Sequence, residues 1–428
     1  MGFCDSVGNL RMRLLSPYMG FDKERLPMSE AKRLMILGGS RYILPVIEAS
    51  HELGAHVITA DYLPDNIAHK FSDEYCDVSI VDKEAVLEKA RELRIDGIMS
   101  FAADPGVVTA SYVAEQMGLP FQGSYESVRV LQNKDLFRGF LAEHDFNVPR
   151  FVKVGGVEEA ETSTKGFDLP VIVKPTDSAG SKGVTRIDDW SQLGKAVETA
   201  LSFSLSSGCI IEEFIEKMGC SSDADAFTKD GVFTCVSFTD QLFDPECDNP
   251  YAPSAYVMPA SMPKESQKAL VSELNRLAQL LELRNGIYNI ETRVGTNGKP
   301  YIMEVSPRGG GNRLAEMLRY ATSIDLIKAS VQAALGLDID AFPDMAFDGV
   351  WYQEILHSIH GGRFEGVVFP EDVMKGNVAE VQLWIESDTD VEGFSAANHA
   401  FGTAFLYFPD RSSLSSINDL MRQSVKIK

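Results

Sequence analysis

Two glutamates, Glu291 and Glu304, flank an Asn297-Gly298 pair in the stretch GIYNIETRVGTNGKPYIMEVSP. Asn-Gly between two β-forming runs is the preferred type I′ hairpin turn. With those two residues as the loop, Thr296 pairs with Lys299, and counting back along both strands sets Glu291 directly opposite Glu304. Asn289 then faces Ser306, and Arg293 faces Ile302, on the same side. The other side carries Tyr288, Ile290, Thr292, Tyr301, Met303 and Val305, which suits a core. Directly opposed carboxylates repel each other. A bound Mg²⁺ relieves that repulsion and takes carboxylate oxygens as hard ligands. The competing reading is a pair of solvated glutamates on an exposed face.

Pro307 and Arg308 follow at once, then Gly309, Gly310, Gly311 and Asn312. A glycine run entering a helix with Asn312 as N-cap leaves N–H groups pointing outward, a place for an anion, with Arg308 and Arg313 beside it. A second candidate is KPTDSAGSKGV. Lys174 ends an apolar strand, and Ser178, Gly180, Ser181, Lys182 and Gly183 form a tip of small residues whose backbone can approach phosphate oxygens closely. It is not a Walker A loop, because the GK[ST] order is missing and a strand, VTRI, follows. A plain surface hairpin is the alternative. Gly38, Gly39 and Asp61 sit where a dinucleotide fold places a glycine turn and a ribose-binding acid, but the third glycine of GxGxxG is absent, which leaves that signal weak.

The elements around these residues change character along the chain. From Arg33, RLMILGG, HVITAD and DGIMSF read as strands and alternate with helical runs LPVIEASHELG, KEAVLEKARELR and PGVVTASYVAEQMG. Such alternation specifies a parallel sheet covered by helices, a Rossmann-like domain over residues 32–125. After helix DLFRGFLAEH come the β pieces PRFVKV, LPVIVKP, GVTRI, CIIEEFI, DADAFTKDG and VFTCVSFTD, which read as antiparallel hairpins. The helix KESQKALVSELNRLAQLLEL precedes the glutamate hairpin, and helices RLAEMLRYA and DLIKASVQAALG follow it. Residues 346–428 are β-rich, and residues 1–31 form an extension without periodicity. The fold class is therefore mixed: α/β at the front, α+β behind.

The chain has 428 residues and a formal charge of -22, which argues against broad contact with nucleic acid or an anionic membrane. No apolar run reaches the length of a membrane span. The start, MGFCDSVGNLRMRLL, is a poor signal peptide, and the six cysteines show no CxxC pair; both fit reduced thiols and a cytoplasmic location.

In this order the motifs resemble the ATP-grasp superfamily, which includes D-alanine–D-alanine ligase, biotin carboxylase and glycinamide ribonucleotide synthetase. The likeness runs from about Arg33 to Leu335. It implies a pre-ATP-grasp Rossmann-like domain, then a two-lobed ATP-grasp domain at 126–345 with its small β-rich lobe at 150–215, then the C-terminal β region. It further implies that Lys134 and Lys174 contact ATP phosphates under the glycine loop as a lid. Glu212 would face the adenine, and Glu213, Phe214 and Ile215 would offer hinge backbone groups. Glu291 and Glu304 match the Mg²⁺ (or Mn²⁺) ligands, and Arg308 falls beside the transferred phosphoryl group.

Two positions depart from the family. Ser306 replaces a metal-binding Asn of an EVN motif, and a hydroxyl ligates Mg²⁺ more weakly. The ribose-binding Glu is missing from GCSSDAD, where Gly219 or Cys220 aligns; Glu216 or Asp223 is the candidate substitute for that contact.

The implied activity is joining a carboxylate to an amine through an acyl phosphate, with ADP and phosphate released. Amino acids are the expected substrates, and homodimers are common in the family. Arg313 and LFDPECDNPYAPSAYVMPA are the candidates for lining the acceptor site. The alternatives are a bicarbonate-activating enzyme of the carboxylase or carbamoyl-phosphate-synthetase kind, and a nucleotide-binding regulatory protein that has lost catalysis.

Overall fold

A computed structural model describes residues 31–427, apart from 179, 205, 248, 371–372, 374–376, 415–416 and 423. Residues 1–30 of the extension, Cys4 among them, lie outside these residues. Four parallel strands lead the described chain, in the order Glu74–Asp77, His56–Asp61, Arg33–Leu37, Gly97–Ser100. The central strands are almost wholly buried, as a parallel sheet covered by helices on both faces requires. The edge strand Glu74–Asp77 was not evident from the sequence. Its EYCD is too short and too polar to stand out. Gly39 is needed for close packing: a side chain there would meet Asn66 at 2.6 Å and His69 at 2.7 Å.

Behind it, a small antiparallel sheet runs Phe151–Val154, Cys209–Glu213, Val171–Pro175, Thr185–Ile187. Helices Val157–Ser163 and Leu193–Ser202 cover one of its faces and share its core. These two helices depart from the expected run of hairpins; tertiary burial of Ala160, Ala196, Val197 and Ala200 stabilises segments too short to hold alone. A second antiparallel sheet runs Val232–Val236, Ser222–Lys229, Gly286–Val294, Pro300–Ser306. A third runs Asp240–Phe243, Pro253–Met258, Val350–Leu356, Gly402–Phe408, Val378–Leu383, and so joins strands from both sides of residue 346. Among the described residues no helix is long and apolar enough to cross a membrane. The described cysteines Cys76, Cys209, Cys220, Cys235 and Cys247 are all free thiols.

The glutamate hairpin pairs Glu291 with Glu304 and Asn289 with Ser306, as expected, although the turn differs. Gly295 N–H donates to the Lys299 carbonyl, and Gly298 N–H donates back to Gly295, with Gly298 at φ 75°. The loop is thus three residues long, with glycine supplying the left-handed position. That moves the lower pairs by one residue, so Arg293 faces Tyr301 rather than Ile302. A bulge at Met303 takes up the extra residue before Glu304 and restores the upper register.

Candidate active site

Strand Gly286–Val294 pairs with Ser222–Lys229 on one side and with Pro300–Ser306 on the other. This sets Asp223, Glu291 and Glu304 in one row across three strands, and Asp225, Asn289 and Ser306 in the next row of the same face. The Asn289 amide donates to Asp223 Oδ1 at 2.7 Å and to Asp225 Oδ1 at 3.2 Å. Tyr256 O–H donates to Asp223 Oδ2 at 3.1 Å. Asp225 Oδ2 is buried with no hydrogen-bond partner among the described residues. Burial, together with the charges of Asp225 and Glu291, pushes the Asp223 carboxyl up to about 7. Burial likewise pushes Asp225 up to about 6, against the donors Gly310 N–H and Asn289. A face of crowded, oxygen-only acidic donors of this kind fits a hard divalent cation such as Mg²⁺.

Cations border this face. Lys134 opens helix Lys134–Glu143, which Asn133 caps through the Asp135 and Leu136 N–H groups. Its Nζ lies 3.7 Å from Glu304 Oε2 and donates to the Ser178 carbonyl at 2.8 Å. One helical turn on, Arg138 donates to Glu212 Oε1 at 2.6 Å, and Lys174 donates to Glu212 Oε2 at 2.7 Å. Burial alone would raise the Glu212 carboxyl, but Arg138 and Lys174 outweigh it and hold it at about 2. Glu212 therefore stays ionised and fixes the direction of Lys174. At the end of strand Cys209–Glu213 and just past it, Glu213 N–H and Phe214 N–H donate to the carbonyls of Arg150 and Pro170, and the Ile215 carbonyl accepts from Arg293 Nη1.

Gly180, Ser181 and Gly183 all take left-handed conformations at the tip of the glycine loop. The Ser181 hydroxyl donates to the Tyr251 carbonyl at 3.2 Å, and Asn249 Nδ2 donates to the Ser181 carbonyl at 3.3 Å. Lys182 is exposed. The loop thus rests against the 249–251 segment, part of the stretch expected to line the acceptor site.

Arg308 is buried and clamps Asp104, Nε to Oδ1 at 2.9 Å and Nη2 to Oδ2 at 2.6 Å. Asp104 starts the helix after the last parallel strand, so this ion pair ties the front sheet to the acidic face. Burial would raise the Asp104 carboxyl, yet Arg308 holds it below the usual carboxylate range. The Ser306 hydroxyl donates to Asp104 Oδ1 at 2.7 Å and accepts from Gln132 at 2.6 Å, which leaves it at most one lone pair for an ion.

Three local expectations need correction. The residue preceding helix Leu314–Thr322 is Arg313 at φ 59°, not Asn312, whose amide donates to Tyr256 O–H at 2.9 Å. The glycine run does not leave all its N–H groups outward either. Gly310 N–H donates to Asp225 Oδ1 at 2.8 Å, and a side chain on Gly309 would strike Phe101 at 2.2 Å. Arg313 is also spoken for, by Glu316 (2.7 and 3.0 Å), Glu380 (3.0 Å) and Thr403 (2.8 Å).

Sequence reasoning missed Asp104, Gln132, Arg138 and Asp225, and placed Asp223 only as a stand-in for a ribose contact. Arg138, four residues after Lys134 on one helix face, was the most accessible of these.

Residues 167–316 match the ATP-grasp domain family. Carnosine synthase 1 of Homo sapiens is 23% identical over 340 residues, 72% of this chain and 40% of that protein. The formate-dependent phosphoribosylglycinamide formyltransferase of Synechococcus sp. (strain WH7803) is 25% identical over 339 residues, 77% of this chain and 83% of that one. The chain therefore spans well under half of the first of these relatives. The crystal structure of L-amino acid ligase from Bacillus licheniformis superposes with a TM-score of 0.76 at 20% identity, covering 93% of this chain and 98% of that one.

Proposed function

We propose, from the premise that residues 167–316 are an ATP-grasp domain, that this chain is an ATP-dependent ligase joining a carboxylate to an amine. The observation that carries the reading is the row Asp223–Glu291–Glu304 with Lys134 at its edge and the Lys174–Glu212–Arg138 cluster nearby. It gathers carboxylates at one end of a path lined by cations, as a polyphosphate carrying a divalent ion would need. Glu291 and Glu304, with Asp223 beside them, would hold Mg²⁺. That ion supplies charge neutralisation at the terminal phosphates. Lys134 and Lys174 bind phosphate oxygens, with Glu212 aiming Lys174. The Glu213 carbonyl and Ile215 N–H serve the adenine. Arg308, held rigid by Asp104, presents its outer edge to the transferred group. Arg313 acts through the elements it braces.

The chemistry follows from leaving groups. A carboxylate resists amines because its oxygen leaves badly. Its attack on the γ-phosphorus breaks the bond to the β–γ bridging oxygen and yields ADP and an acyl phosphate. The amine then adds to the acyl carbon, loses a proton, and expels phosphate. A water-excluding site protects the intermediate from hydrolysis. The likeness to an L-amino acid ligase supports amino acids as substrates.

Substrate labelled with ¹⁸O in its carboxyl group should deliver one label to released inorganic phosphate, with ADP as co-product. Label recovered in AMP, or retained wholly in the amide, rules this route out. The same experiment with labelled bicarbonate tests the carboxylase-like alternative.

The glycine loop gives a further expectation. Among the described residues, two hydrogen bonds, from Ser181 and Asn249, link it to the 249–251 wall. Peptides covering residues 176–183 should exchange amide hydrogens quickly in the free protein and slow on binding an ATP analogue with Mg²⁺. Equal and strong protection in both states would count against a phosphate lid.

A further inference from the structure

Away from the phosphate path, Asp244, Cys247 and His357 converge at one end of the third sheet. Strands Asp240–Phe243 and Val350–Leu356 flank Pro253–Met258, and Leu242 and Glu354 both pair with Ala255. The two outer strands run the same way, so the chain leaving each emerges at the same end. Asp244 and Cys247 lie just past the first, and His357 just past the second. All three are buried, and one ligand atom from each lies within 4.8 Å of the others. His357 Nε2 is 3.6 Å from Asp244 Oδ2. The other ring nitrogen, Nδ1, is 2.6 Å from the Ile355 carbonyl, and Phe394 packs on the ring with centroids 4.3 Å apart.

We propose that Asp244, Cys247 and His357 form a zinc-binding site that pins residues 244–247 to the C-terminal strands. Thiolate, imidazole and carboxylate together are a donor set for Zn²⁺ and a poor one for Mg²⁺. The Nδ1–Ile355 hydrogen bond does what such bonds do for ligating histidines: it fixes the tautomer and orients the ring, leaving Nε2 for the ion. It also argues against a Cys–His–Asp nucleophilic relay, in which thiol and carboxylate must sit on opposite ring nitrogens; here Nε2 alone remains for both. Tetrahedral ligands at bond lengths of about 2.0–2.3 Å stand roughly 3.3–3.7 Å apart, so closing the triangle needs a movement of about 1 Å. Three protein ligands leave a fourth position for water or a substrate group. The site's place gives it a consequence. Two residues beyond Cys247, Asn249 Nδ2 donates both to Ser181 of the glycine loop and to the Ser395 carbonyl, next to Phe394. An ion here would stiffen the wall on which that loop rests.

The test uses the full chain, stripped by chelator and dialysed against Zn²⁺, then freed of excess metal. We expect about one tightly held zinc per chain. Cobalt in its place should give a thiolate-to-metal charge-transfer band in the near ultraviolet and the visible bands of a four-coordinate ion. Cys247→Ser should abolish the charge-transfer band, and His357→Asn should lower zinc occupancy. Glu304→Gln should leave zinc occupancy unchanged, which separates this site from the Mg²⁺ face. A wild-type protein that retains no zinc, or whose cobalt spectrum lacks the thiolate band, overturns the proposal; so does a band that survives in Cys247→Ser. Occupancy and spectrum of the wild type decide the matter even if a variant fails to fold.

Discussion

Glu304→Gln is expected to lower turnover by at least about a hundredfold while leaving the fold intact, a loss of several kcal/mol of electrostatic stabilisation. Glu304 is the outermost of the three carboxylates in the row, and its side chain is 37% exposed. Glutamine keeps its shape but removes the charge that a divalent ion would balance. Its ion pair with Lys134, at 3.7 Å, is a long and partly solvated contact whose loss costs little stability. Effect on catalysis and effect on folding should therefore separate. The measurement is steady-state phosphate release across a range of Mg²⁺ concentrations, beside a urea unfolding curve. Near-normal turnover at ordinary Mg²⁺ would remove Glu304 from the proposed ion site.

Glu212→Gln is expected to do the reverse, with its first effect on stability. The Glu212 side chain is 2% exposed and neutralises Arg138 (3%) and Lys174 (14%). Removing the carboxylate leaves two cations buried around a neutral amide. Breaking a buried charge pair from one side typically costs about 3–5 kcal/mol. The pH dependence has a definite sign. The Glu212 carboxyl titrates at about 2 in the folded chain, below its ordinary 4.5. Its contribution is thus fully present above the ordinary value and is lost as pH falls through about 2. Urea unfolding near neutral pH should show the full gap between wild type and variant, and the gap should narrow in acid. A difference within about 0.5 kcal/mol at neutral pH, the range of ordinary surface changes, would mean that this cluster is not the buried ion pair described here.

Local pattern was enough for several conclusions. The opposition of Glu291 and Glu304 follows from a hairpin whose strands and turn lie in one short stretch, so the pairing had few alternatives. It came out right although the turn is one residue longer than expected, because the bulge at Met303 compensates for the shift. The alternation of strands and helices at the front was legible for the same reason: periods of two and 3.6 residues are properties of neighbours. Lys134 and Lys174 could be named from their motifs, and the structure sets Lys134 beside Glu304 and Lys174 on Glu212.

What only the tertiary structure decided concerns residues far apart in the chain. Asp223 and Asp225 join Glu291 and Asn289 because strand Ser222–Lys229 lies next to Gly286–Val294, and strand order in a sheet leaves no local mark. Asp104 meets Arg308 from 204 positions away, across the junction of two sheets. The fate of Arg313 illustrates the difference. As a cation beside a glycine run, it read as flanking an anion site and lining the acceptor site. In the fold it is surrounded by Glu316, Glu380 and Thr403, two of them from strands beyond residue 346. A sequence displays which charges a chain owns, but whether a charge is free for a substrate depends on which distant partner burial brings against it, because a buried charge must be paired before anything else.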